Sequence, residues 1–266
     1  MKNNIEAELR KVLLDRTQFA ELASGFVNKV CEDDPDEDPE FNEVYKLALN
    51  SVVEENIENV FSASGSPIET IFLNSLILGF IKVDSLGLVV HPVYNDTEKE
   101  IEQFIEQYEK FKKFILWYEN KYSSFSGMND FLDLEVKKGN MPQEERDCIA
   151  RLVLRYHMLP LHNSFHLTLQ PKFPNIKIDG KTIRPDILLW IPEQPELKIV
   201  VECDGFDYHS DREKFTSDRK RDRALQAKGY QILRYSGTEI YRNPAGVTAD
   251  LAQHLWEFQE TEDIQP

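Results

Sequence analysis

The hydrophobic period of this chain changes after Leu159, and that change constrains what each part can fold into. Before it, apolar residues recur at helical spacing. Ile5, Leu9, Val12, Leu13, Phe19, Leu22, Ala23 and Val27 mark one such stretch, and Ile101, Phe104, Ile105, Tyr108, Phe111, Phe114, Ile115 and Tyr118 mark a long amphipathic one from Thr97 to about Tyr122. After it, alternation takes over: Phe165 to Gln170, Ile183 to Ile191 and Leu197 to Asp204 read as strands. Asn175 to Lys181 contains Asp179-Gly180, a favoured hairpin dipeptide, and Ile191-Pro192-Glu193-Gln194-Pro195 separates the next two strands. A helix over about 217–228, stopped by Gly229, leads to a strand over 230–235 and a last helix near 244–260. The spacing therefore predicts an α/β unit preceded by a helical region.

Within the helical part, the stretch from Cys31 to Glu40 holds seven acidic residues and two prolines, so self-repulsion and the missing N–H groups predict a solvated linker. Helices are predicted over 41–60, 66–82, 128–138 and 142–158. The second opens on Ser66-Pro67-Ile68-Glu69, where Ser caps, Pro fits the first turn and Glu reaches back. A capping box explains Glu69 without any other role, so its functional reading needs a second reason.

The chain has 266 residues, 41% hydrophobic, enough for a sizeable core. No run approaches ~18 apolar residues, and the N-terminus has no apolar core followed by a cleavage site, so the expectation is a cytoplasmic protein with no membrane segment. The three cysteines, Cys31, Cys148 and Cys203, are scattered and form no C-x-x-C pair, which excludes a disulfide framework or thiolate zinc site at the level of pattern. Net charge is −16, so bulk charge attracts no polyanion. The charge is unevenly spread, however. Residues 171–245 carry 14 Lys plus Arg against 12 Asp plus Glu, and with a Debye length of about 8 Å in physiological salt an acidic helical lobe need not cancel a local basic groove.

Chemistry concentrates at two strand ends. Asp186 follows Pro185 at the start of Ile187-Leu188-Leu189-Trp190, and Glu202-Cys203-Asp204-Gly205 closes Ile199-Val200-Val201. Side chains alternate along a strand, so Glu202 and Asp204 share a face, and a hairpin of the two strands brings Asp186 to them. Carboxylates within ~4–5 Å repel by a few kcal/mol per pair at an effective dielectric near 20, so protons or a cation must occupy such a cluster. A hard divalent ion such as Mg²⁺, with Mn²⁺ as surrogate, suits oxygen-only ligands and keeps positions for water and phosphate.

Pro185-Asp186, Glu202-x-Asp204-Gly205, Tyr208-His209, the charged helix with Asp218, Arg219 and Asp222, and Gly229-Tyr230-Gln231-Ile232-Leu233-Arg234-Tyr235 resemble the PD-(D/E)XK, or restriction-endonuclease-like, superfamily, and within it the very-short-patch-repair-like branch. The resemblance covers about 160–245, with the helix after Ser66 similar to the branch's upstream helix. It implies a mixed sheet flanked by helices, with an all-helical N-terminal or inserted lobe: 1–60 as an N-terminal helical region, 61–84 as the first core helix, 85–159 as a helical insertion and 160–266 as the nuclease core. It implies metal-dependent hydrolysis of DNA, with Asp186 and Glu202 as metal ligands, the Cys203 backbone carbonyl as a third, and Glu69 as a further catalytic carboxylate. Asp204 stands where the superfamily has lysine, and His209 fits the place of the branch's histidine base. Arg184, Arg212, Lys214, Lys220 and Arg221 are the expected DNA contacts, Arg212 to Arg223 forming the densest basic cluster. The helical lobe offers a surface for a protein partner or a second copy. The missing lysine also supports a rival expectation, a degenerate nuclease fold serving as a binding or assembly module. His91, His157, His162, His166 and His254 lack a motif and read as structural, and a lone Gln170 carries little weight.

Overall fold

A computed structural model describes residues 2–32, 39–81, 87–119, 125–144, 146–147, 149, 164–205 and 212–262. Its elements run α1 (Lys2–Leu14), α2 (Arg16–Glu32), α3 (Pro39–Ala63), α4 (Pro67–Ile81), β1 (Leu88–His91), α5 (Thr97–Glu119), α6 (Phe125–Lys137), β2 (Phe165–Leu169), β3 (Phe173–Ile178), β4 (Lys181–Ile183), β5 (Ile187–Ile191), β6 (Gln194–Asp204), α7 (Arg212–Gln226), β7 (Gln231–Ser236), α8 (Gly237–Arg242) and α9 (Pro244–Glu262). Among the described residues, one mixed sheet has the order β1-β2-β5-β6-β7 and a second sheet is the β3–β4 hairpin. β1 with β2 and β6 with β7 are parallel, while β2 with β5 and β5 with β6 are antiparallel. The fold is thus mixed α/β, in keeping with a restriction-endonuclease-like core.

Strand β5 is apolar without interruption because it is buried on both sides, the pattern of a central strand covered by helices. Ile187, Leu189 and Ile191 join a cluster with α4 and α9, whereas Leu188 and Trp190 join Phe173 of the hairpin, Leu225 of α7 and Ile101 of α5. The sheet therefore has one helical layer on each face. α4 is apolar nearly all round and buried along most of its length, because the sheet lies on one side and α1, α2 and α3 on others. Leu13, Phe19 and Val27 of α1 and α2 share their buried cluster with Ile199 and Val201 of β6.

Several expectations need correction. The region after 85 is not all-helical: β1 occupies Leu88–His91, pairing Leu88 with Phe165. At four residues it is too short for alternation to register in the sequence. Its outer edge is paired by α3, since Asn56 Nδ2 donates to the Leu88 carbonyl at 2.7 Å, Val90 N–H donates to Asn56 Oδ1 at 2.7 Å, and Asn59 Nδ2 donates to the Val90 carbonyl at 2.7 Å. β3 occupies much of the stretch read as a turn; the turn itself is confined to Asp179-Gly180, at φ 50° and 79°. Helix α8 escaped the sequence reading although Ser236 and Glu239 form a capping box at its start. α2 continues through Glu32 and α3 begins at Pro39, with the middle of the acidic segment outside the described residues, as is most of 142–158. No described helix is long and apolar enough to cross a membrane.

Candidate active site

The β5–β6 hairpin does what the spacing of its carboxylates requires. Ile187 pairs with Val201, which sets Asp186 beside Glu202 at the open end of the hairpin. The Cys203 backbone N–H donates to Asp186 Oδ2 at 2.8 Å, fixing that carboxylate across the strand. Gln170 N–H donates to the Asp186 carbonyl at 2.7 Å, anchoring the residue from the β2 side. Gln170 itself sits at φ 47°, a left-handed conformation that costs a non-glycine residue energy and is retained where the surroundings impose it.

That conformation carries the Gln170 side chain to Glu69, 101 residues earlier, where Nε2 donates to Oε2 at 2.8 Å. The same oxygen accepts from Gly65 N–H at 2.8 Å, while Glu69 N–H donates to Ser66 Oγ at 3.2 Å. Glu69 therefore caps α4 and also belongs to the cluster: it is 7% exposed, and its charge raises the pKa of Asp186. A Cβ on Gly65 would meet Gln170 Nε2 at 3.1 Å and the Glu69 oxygens at 3.2 and 3.3 Å, so glycine permits this approach.

Glu202 is 4% exposed. Burial, reinforced by Asp186 and Asp204 and opposed by Arg221 and Arg234, pushes its pKa up to about 8. Burial likewise raises Asp186, with the Cys203 N–H pulling the other way and Glu69 adding to the rise. The cation facing Glu202 is Arg221, whose Nη2 lies 3.1 Å from Glu202 Oε1 and 3.4 Å from Asp218 Oδ1. The contact is one of charge, not of alignment: Glu202 Oε1, Asp218 Oδ2 and Arg221 Nε and Nη2 are buried with no aligned hydrogen-bond partner among the described residues. Asp204 is held separately by Arg234, which donates to it at 3.0 Å and to Asp222 at 2.6 Å. Within the chain, Arg221, Arg234 and the Cys203 N–H offset part of the repulsion among these carboxylates.

Arg221, expected to contact DNA, faces inward to Glu202 instead. Asp218, Arg221, Asp222 and Leu225 fall at i, i+3, i+4 and i+7, one stripe of α7, and Leu225 is fully buried against the sheet, so the stripe turns inward. That spacing was the available signal. Lys220 and Arg184 are exposed, Lys220 pairing with Asp179 at 3.3 Å. Arg212 and Lys214 fall in the first turn of α7 with side chains outside the described set, and His209 lies outside the described residues altogether. The Cys203 thiol is buried on the α4 side, and burial raises its pKa well above the ordinary value. The residue the sequence undervalued is Gln170.

Among the described residues no three His, Cys, Asp or Glu side chains close around a common point. The donor set still fits an ion that takes few protein ligands: it is all oxygen, it draws on carboxylates at adjoining strand ends, and Glu202 Oε1 has no aligned hydrogen bond. Residues 173–255 match a restriction-endonuclease-like family, REase_MTES_1575. The matched segment contains Asp186, Glu202, Asp204, Arg221 and Arg234, while Glu69 and Gln170 precede it. Comparison with curated proteins and with solved structures gives no match.

Proposed function

We propose that this protein is a Mg²⁺-dependent endonuclease that hydrolyses DNA phosphodiester bonds, with Mn²⁺ able to substitute, in a defence, mobile-element or repair setting. The observation that carries the reading is the buried Glu202 carboxyl set beside Asp186 at the end of a central hairpin, inside a segment that matches a restriction-endonuclease-like family. A stability-driven core has no use for such a placement, since an apolar residue there would cost nothing to bury.

Asp186 and Glu202, with the Cys203 carbonyl, would hold the ion. When bound, it supplies charge stabilisation at the phosphate and a more acidic water. The chain's own residues do the rest. The Cys203 N–H fixes Asp186, and Gln170 with Gly65 orients Glu69 beside it. Arg221 brings positive charge to Glu202, partly replacing the lysine that Asp204 displaces. His209, the base suggested by the very-short-patch-repair likeness, takes the proton of the attacking water as a neutral imidazole near pH 7.

The purified protein is expected to cut DNA in Mg²⁺ or Mn²⁺ and not in EDTA. Glu202→Ala and Asp186→Ala abolish cutting with the circular dichroism spectrum unchanged, and His209→Ala slows it about 10²–10⁴-fold with metal affinity kept. Cutting that survives both carboxylate substitutions overturns the reading. The second reading, a degenerate fold acting as a binding module, is favoured by Asp204 being tied to Arg234 and predicts no divalent-ion binding.

A further inference from the structure

The β3–β4 hairpin runs directly into Asp186. Residues 172–184 hold four basic side chains, Lys172, Lys177, Lys181 and Arg184, against one acidic one, Asp179, in a chain whose net charge is −16. The hairpin spends its apolar side chains on the core, with Phe173, Ile176 and Ile183 buried beside Leu225 of α7. Lys177, Lys181 and Arg184 remain exposed, and no carboxylate among the described residues pairs with them. Asp179, the acid that could have done so, turns to Lys220 at 3.3 Å and ties the tip to α7. The result is a short two-residue-turn hairpin fixed beside the helix that delivers Arg221, with Lys177 and Arg184 on the face away from Ile178 and Ile183 and Lys181 at the tip opposite Ile178.

The spacing suits a regular polyanion. Lys177 stands opposite Thr182, and Arg184 follows two residues further, about 7 Å along the strand. Phosphates of one DNA strand recur every ~3.4 Å along the axis, so the two cations fall within reach of neighbouring groups. A cluster of carboxylates repels a polyanion, and cations at its rim offset that repulsion at the place where the backbone must approach.

We propose that the β3–β4 hairpin is a phosphate-gripping arm, with Lys177 and Arg184 laying the DNA backbone across the strand ends at Asp186 and Glu202. This rests on the nuclease reading and names the surface through which the substrate is held. Contacts to phosphate position a duplex without reading its sequence, so the arm contributes affinity and salt dependence and no base preference.

The test is anisotropy of a fluorescein-labelled duplex oligonucleotide titrated with the full chain in EDTA over a series of KCl concentrations. In the Lys177→Gln/Arg184→Gln double variant the slope of log affinity against log salt is expected to fall by about 2, at ~0.9 per lost phosphate contact. Lys137→Gln, at an exposed lysine at the end of α6, keeps the wild-type slope. Wild-type binding with an unchanged double-variant slope and affinity overturns the arm alone. A wild-type chain that binds no duplex at any salt removes the nuclease reading and the arm together.

Discussion

Two buried titratable residues pull the stability of this protein in opposite directions with pH. His91 is buried between Trp190, His166 and Phe104, with ring centroids 5.0 to 5.3 Å away, and burial lowers its pKa to about 4. Its Nε2 lies 2.7 Å from His166 Nδ1 and its Nδ1 lies 2.9 Å from the Tyr94 hydroxyl, a network that suits a neutral ring. The unfolded chain binds a proton here near pH 6.5 and the folded chain resists, so His91 contributes stability above 6.5 that is lost as pH falls toward 4. Glu202 has the reverse sign. Its folded pKa of about 8 exceeds the ordinary 4.5, so its protonated form contributes stability at low pH that is lost as pH rises through 8. Urea titrations in EDTA at pH 7 and pH 5 should find the wild type changing little. Glu202→Gln should lose about 2 kcal/mol on that acidification and His91→Gln should gain about as much. Identical slopes in all three proteins would remove both assignments.

At the scale of elements, the most exposed vulnerability is β1, an edge strand whose outer backbone groups are satisfied by side chains of α3. Asn56 is 2% exposed and serves two of those groups at once. Asn56→Ala leaves a buried N–H and a buried carbonyl without partners, a cost of about 2–4 kcal/mol measurable by chemical denaturation. β5, β6 and β7 are readable from the sequence because their apolar runs are bounded by Pro, Gly and charge, and a β5–β6 hairpin brings Asp186 to Glu202. β1 and β3 are not, because a four-residue strand has no period and Pro174 and Asn175 look like turn residues. The inward stripe of α7 was present in the spacing of Asp218, Arg221, Asp222 and Leu225, but charged residues on a buried face run against the usual expectation for a helix. Gln170 could not be read at all, since its role depends on a left-handed backbone and on a partner 101 residues away.

Across the whole molecule, the sheet's carboxylates face Arg221 and Arg234, and a divalent ion that binds among them stabilises the folded chain by mass action. Thermal melts should rise with Mn²⁺ in the wild type at pH 8, where Glu202 is more readily ionised, and should stay fixed in Asp186→Asn; a wild type indifferent to Mn²⁺ favours the degenerate binding module. Helices α1 and α2, read as a separate region from the acidic residues that follow them, bury Leu13 and Phe19 in the cluster that backs β6. Those acidic residues suggested a break in the sequence, whereas the contacts that join the helices to the sheet are long-range and leave no local signature. The same long-range character governs when the site can exist. Glu69 comes from the first core helix, Gln170 and Asp186 from strands far downstream, and Arg234 from β7, so a chain still emerging from the ribosome lacks the full constellation until nearly all of it has been made. Truncated copies that stop short of β7 would keep Asp186, Glu202 and Arg221 but lose Arg234, leaving Asp204 and Asp222 without the cation that joins them.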